Sequence, residues 1–141
     1  MSGTSMTDAE FLDAFEACQT PANEFHHRDH LRLALLYLER YGAEIAASRI
    51  AESIRTYAAH LGKSEKYNET VTQAWLRIVD AAACDREGAT LDQLIVRHPE
   101  LLNKNLLERY YSPDLLNSAA ARVTFVPPDL CPLPVAASVE R

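Results

Sequence analysis

Apolar residues recur along this chain every three or four positions, the spacing of one face of an α-helix. Thr7-Asp8-Ala9-Glu10 reads as a capping box: the threonine oxygen accepts a backbone N–H while Glu10 reaches back. It opens a first helix over about Asp8 to Cys18, with Phe11, Phe15 and Cys18 on one stripe, and Thr20-Pro21-Ala22-Asn23 breaks it. A second helix starts near Arg28 or Asp29, turns Ala34, Tyr37, Leu38 and Tyr41 inward and stops at Gly42. The third covers roughly Ala43 to Leu61, with Ile50, Ile54, Tyr57 and Leu61 in phase and Gly62 closing it. The fourth runs from about Glu65 to Cys84 and buries Val71, Trp75, Ile78 and Ala82.

Beyond Gly88 the pieces shorten. Thr90-Leu91-Asp92-Gln93 starts one helix, Pro99 allows another, and Leu101, Leu102, Leu106 and Leu107 are expected to cover the bundle. Pro113 opens a last helical piece, and Arg122 to Arg141 reads as an extended, proline-containing tail with a strand-like stretch at Val123-Thr124-Phe125-Val126. The predicted fold is all-α, an antiparallel up-down bundle of about four main helices with short C-terminal helices. One domain over residues 1–141 is expected, with 1–6 and about 130–141 as flexible or extended ends.

Composition narrows the partners. The 141 residues are 48% hydrophobic, enough for a real core, and no run approaches a membrane span. A formal charge of −6 without a basic cluster argues against nucleic acid. The N-terminal residues lack the pattern of a secretory signal, and Cys18, Cys84 and Cys131 are widely spaced with no CxxC pair. A cytoplasmic protein without a disulfide framework is the expectation. The partner is then a small-molecule ligand, not nucleic acid or a membrane, with a homodimer left open.

Three of five histidines fall within Phe25-His26-His27-Arg28-Asp29-His30. Around the axis of helix two, His27 lies ~20° and His30 ~40° from the centre of the inward stripe, whereas His26 sits ~80° away. On helix four, Asn68 falls ~20° from Trp75, Thr72 at ~60° and Glu69 at ~120°. In an up-down bundle helices two and four run parallel, so both polar groups are expected at one end, beside Cys18, Tyr57 and His60. Three readings remain open. His27, His30 and Glu69 form a candidate ligand set for zinc or iron. The same residues could be metal-free acid/base groups, His30 as general base with Glu69 or Asp29 orienting it, above a pocket of Asn68, Thr72, Tyr57 and His26. The third is structural: Asp29 as a cap or first-turn acid and the histidines paired with Asn68, Thr72 and Glu69. Tyr110-Tyr111 beside Arg109 is a further candidate for closing a pocket, against one buried and one exposed ring. Trp75 is read as core, Cys18 as a small hydrophobe, and His60 and His98 as helix-end residues. No phosphate loop, GxSxG or HExxH occurs.

Phe25-x-His27-x-Asp29-His30-Leu31-Arg32-Leu33-Ala34, Lys66-Tyr67-x-Glu69-Thr70-Val71-Thr72-x-Ala74-Trp75, Arg109-Tyr110-Tyr111-Ser112-Pro113 and Ala121-Arg122-x-x-Phe125-Val126-x-Pro128-Asp129 together resemble a family of small, mostly uncharacterised bacterial proteins. The likeness covers most of the chain and implies no particular activity. The family pattern carries a histidine where this chain has Asn68, and asparagine is a poor ligand for zinc or iron. The leading expectation is a small-molecule enzyme with a histidine-rich pocket, possible metal included. The alternative is a non-catalytic ligand-binding or oligomerising module whose His/Asn/Glu cluster is structural.

Overall fold

The computed structural model describes residues 7–83 and 90–134. The fold is all-α, and no strand occurs among the described residues. Helix α1 spans Asp8–Glu16, with both halves of the Thr7/Glu10 capping box formed. It ends before Cys18, which takes a left-handed backbone at φ 59 and is only half-buried, so the expected inward stripe reduces to Phe11, Leu12 and Phe15.

The second and third expected helices are one assigned element, α2 (His27–His60), broken at Gly42 with φ 81 and ψ 162. The break is a reversal. The Tyr37 hydroxyl lies 2.6 Å from Ser53 Oγ, sixteen residues on, where a straight helix would separate the two by about 24 Å. Tyr57 likewise returns to Phe25, just before the helix starts. α2 is therefore an antiparallel hairpin, and glycine at its corner supplies a conformation that side chains resist. A Cβ added at Gly42 would meet no atom within 4 Å, so the cost of Gly42→Ala is backbone strain alone. A loss of about 1–2 kcal/mol is expected. Urea unfolding of the variant measures it, and an unchanged midpoint would refute the strained corner.

Helix α3 spans Glu69–Ala83. The expected start at Glu65 is too early, because Ser64–Lys66 form a 3-10 turn and Asn68 caps the helix, its Oδ1 accepting from the Val71 N–H at 3.0 Å. Cys84, the expected end, and Gly88 lie outside the described residues. α3 buries Trp75, Ile78, Val79 and Ala82 against α2, worth roughly 1.5–3 kcal/mol for each large side chain. Val71 is only partly buried.

Helix α4 spans Leu91–Arg97 behind the Thr90/Gln93 capping box. Pro99 starts a 3-10 turn, Pro99–Leu102, instead of an α-helix. Leu101, Leu106 and Leu107 cover the core as expected, whereas Leu102 is 50% exposed: one face of so short a turn is all that can be buried. Two short helices follow, α5 (Pro113–Leu116) and α6 (Ala119–Val123), each capped by a serine. The strand-like stretch does not form a strand. Ser118 accepts from the Ala121 N–H and nucleates a helical turn, leaving Val123 81% exposed at its end. From Thr124 to residue 134 the chain forms no helix or strand, and it is pinned by Leu130 N–H to the Tyr110 carbonyl at 2.9 Å. No helix of the described residues is long and apolar enough to cross a membrane.

Candidate functional site

His26 is the exposed residue preceding α2, and its N–H donates to Asp29 Oδ2 at 3.0 Å. Asp29 is therefore a first-turn acid. His27 and His30 follow one turn apart. His27 Nε2 lies 2.8 Å from the Leu101 carbonyl oxygen, and its ring meets Trp75 edge-on at 4.7 Å. The His30 ring meets Phe25 edge-on at 5.1 Å, and Phe25 packs on Phe15 and Tyr57. This aromatic enclosure, with repulsion from His27 added, holds the His30 pKa down at about 4 against only a partial offset from Asp29.

The other expected members go elsewhere. Asn68 Nδ2 donates to the Leu116 carbonyl at 2.8 Å while Oδ1 caps α3. The stripe angle assigned to it presumed a helical residue, and it stands before the helix. Asn68→Ala should therefore cost about 1–2 kcal/mol, from a lost cap and an orphaned carbonyl, read as a fall in melting temperature. Glu69 Oε1 accepts from the Tyr67 hydroxyl at 2.6 Å and sits 3.4 Å from Arg55, and Oε2 accepts from Gln73 Nε2 at 3.1 Å. Burial and the carboxylate beside it push the Tyr67 phenol upward. Tyr57 is buried and donates to the Thr20 carbonyl at 2.7 Å, and Thr72 is buried beside the Tyr67 hydroxyl.

Parallel helices alone do not bring Glu69 to the histidines. His27 packs at the level of Trp75, six residues past Glu69, an axial offset of about 9 Å. Among the described residues no three His, Cys, Asp or Glu side chains come together in a group that could hold a metal ion. His27, His30 and Glu69 do not fit a zinc or iron site.

Of the other candidates, Tyr111 is fully buried and donates to the Val126 carbonyl at 2.7 Å, while Tyr110 is half-buried. His60 ends α2, and His98 Nδ1, at the end of α4, lies 3.6 Å from Glu100. Each serves a helix end or a wall of the core.

Sequence reasoning passed over the opposite face of α3. Glu69, Gln73, Arg77 and Asp80 recur at intervals of four, four and three residues, one polar stripe. It lies between the second half of α2 and the C-terminal segment. Three adjoining cavities open along it. One of about 420 Å³ is polar and includes Arg55, Glu69, Gln73 and Arg77. A second, of about 380 Å³, is bounded by Leu38, Ala47, Leu76, Arg77 and Asp80. The largest, about 640 Å³, lies between Arg77, Asp80, Phe125 and the proline-rich stretch 127–134. Arg77 borders all three. Its guanidinium lies over the Phe125 ring at 4.0 Å, a cation–π contact. Gln73, only 7% exposed, is fixed by donating to the Ala47 carbonyl at 2.9 Å. The spacing of the stripe was visible in the sequence as an amphipathic signal, whereas the burial of Gln73 was not. The wall opposite was not, because Phe125 arrives from fifty residues away.

The chain matches no protein-family model, no curated protein and no solved structure.

Proposed function

We propose that this chain is a non-catalytic small-molecule-binding module whose ligand lies in the groove centred on Arg77. The observation that carries the reading is that three cavities of different polarity share that one arginine. Binding sites commonly combine apolar walls with a few fixed polar groups, and here Gln73 and Arg77 are fixed by a backbone carbonyl and an aromatic ring. An enzyme built on His27, His30 and Glu69 has less support. A histidine with a pKa of about 4 is a weak general base near neutral pH, and Glu69 already accepts from Tyr67 and Gln73. Membership of the small bacterial family is part of this reading and rests on the motif residues alone.

The test is a fragment screen by amide NMR on the full, isotope-labelled chain. Resonance shifts should cluster at Ala47, Gln73, Arg77 and Phe125. Shifts clustering instead around His27 and His30, or no shifts at all, would overturn the proposal.

A further inference from the structure

Two charged groups of the groove, Arg77 and Asp80, have no hydrogen-bond or ion-pair partner among the described residues. Phe125 occupies one face of the Arg77 guanidinium and leaves its in-plane N–H donors without an acceptor. Asp80, one helical turn further, is half-buried, accepts no hydrogen bond and makes no ion pair, and burial raises its carboxyl pKa. Oppositely charged side chains three residues apart on a helix are near enough to pair. These two do not, although both border the same two cavities.

The remaining charges are either engaged or peripheral. Glu69 is held by Arg55, Tyr67 and Gln73. Both oxygens of Asp129 accept from Ser112, at 2.8 Å from its N–H and 2.6 Å from its hydroxyl. Glu44 is exposed. Beside the two free charges the largest cavity is apolar, walled by Phe125, Pro127, Pro128, Leu130 and Leu133. A donor fork, an isolated carboxylate and an apolar chamber side by side are complementary to a molecule with both charges on one carbon and a hydrocarbon body attached.

We propose that the groove binds a hydrophobic α-amino acid or a close derivative, with its carboxylate on Arg77, its ammonium on Asp80 and its side chain against the proline-rich wall. This rests on the groove being the ligand site. The carboxylate takes in-plane donors that now face solvent, and the ammonium offsets the desolvation of Asp80.

The experiment titrates four probes by NMR into the full chain: L-phenylalanine, N-acetyl-L-phenylalanine, L-phenylalaninamide and N-acetyl-L-phenylalaninamide. They carry both charges, the negative one, the positive one and neither. Phenylalanine should bind about tenfold more tightly than either singly charged probe, the scale of one charge-assisted hydrogen bond near a surface. Arg77→Gln should abolish its advantage over phenylalaninamide, and Asp80→Asn its advantage over N-acetylphenylalanine. Melting curves confirm that both variants stay folded. Equal binding of all four probes, or an order of affinity unchanged in both variants, overturns the ligand class. Fragments that shift Gln73, Arg77 and Phe125 while phenylalanine does not would overturn it too, leaving the groove as a binding site. If neither fragments nor probes shift those resonances, the groove reading itself fails.

Discussion

Lowering the pH from 6.5 to about 4 should remove on the order of 2–3 kcal/mol of stability through His30 alone. The folded pKa is depressed below the unfolded value, so between the two the unfolded chain binds a proton that the folded chain refuses. The contribution is fully present above pH 6.5 and is lost as pH falls towards 4. The cause is chiefly desolvation, then repulsion from His27, with attraction to Asp29 on the same helix opposing both. Carboxylates also titrate near the lower end, so the informative quantity is a difference. On acidification across this range the urea midpoint of the wild type should fall relative to that of His30→Phe, because phenylalanine can pack against Phe25 without acquiring charge. Parallel pH profiles would show that His30 titrates normally. The aromatic nest of Phe15, Phe25 and Tyr57 would then not exclude water as its geometry indicates.

His30 also shows what the sequence could convey. Helical phase placed His27 and His30 on the inward side of α2, and both are at least partly buried there. Capping chemistry located the starts of α1 and α4 to the residue, because a threonine followed by a glutamate or glutamine three positions later satisfies the first free N–H groups locally. Gly42 was legible as a stop, and its positive φ is what lets α2 double back. Axial register was not legible. Periodicity gives the angle of a residue around its own helix and nothing about how far that helix slides along a neighbour. Trp75 and not Asn68 lies level with His27, and that offset separated Glu69 from the histidines. Nor could the pattern show that the C-terminal segment folds over α3, since irregular chain has no period to betray its partner. The polar face of α3 therefore looked like a solvated surface, although it is one wall of a groove.

The bond that keeps the opposite wall in place gives the other large expected effect. Thr70 is fully buried in the first turn of α3. Its hydroxyl donates to the Thr124 carbonyl at 2.9 Å and accepts from the Val126 N–H at 3.1 Å. Those two backbone groups flank Phe125, so one side chain fixes the ring on which Arg77 lies. Thr70→Val keeps the shape and removes both hydrogen bonds, leaving a carbonyl and an N–H without their partner. Each such loss costs about 1–3 kcal/mol when buried. Because Thr124 reaches solvent while Val126 is half-buried, a total of about 2–3 kcal/mol is expected. Thr70→Ser, which retains the hydroxyl and loses one buried methyl, should cost about 1 kcal/mol. Hydrogen exchange distinguishes a local from a global effect. In Thr70→Val, protection should fall at Val126 and Leu130 by more than at Trp75 or Leu33. Amino-acid binding should weaken with it, since Phe125 and the proline-rich wall are no longer held against Arg77. A valine variant as stable as the serine variant, with Val126 still protected, would mean that the segment is held by the Tyr111 hydroxyl on the Val126 carbonyl and that Thr70 is dispensable for the groove.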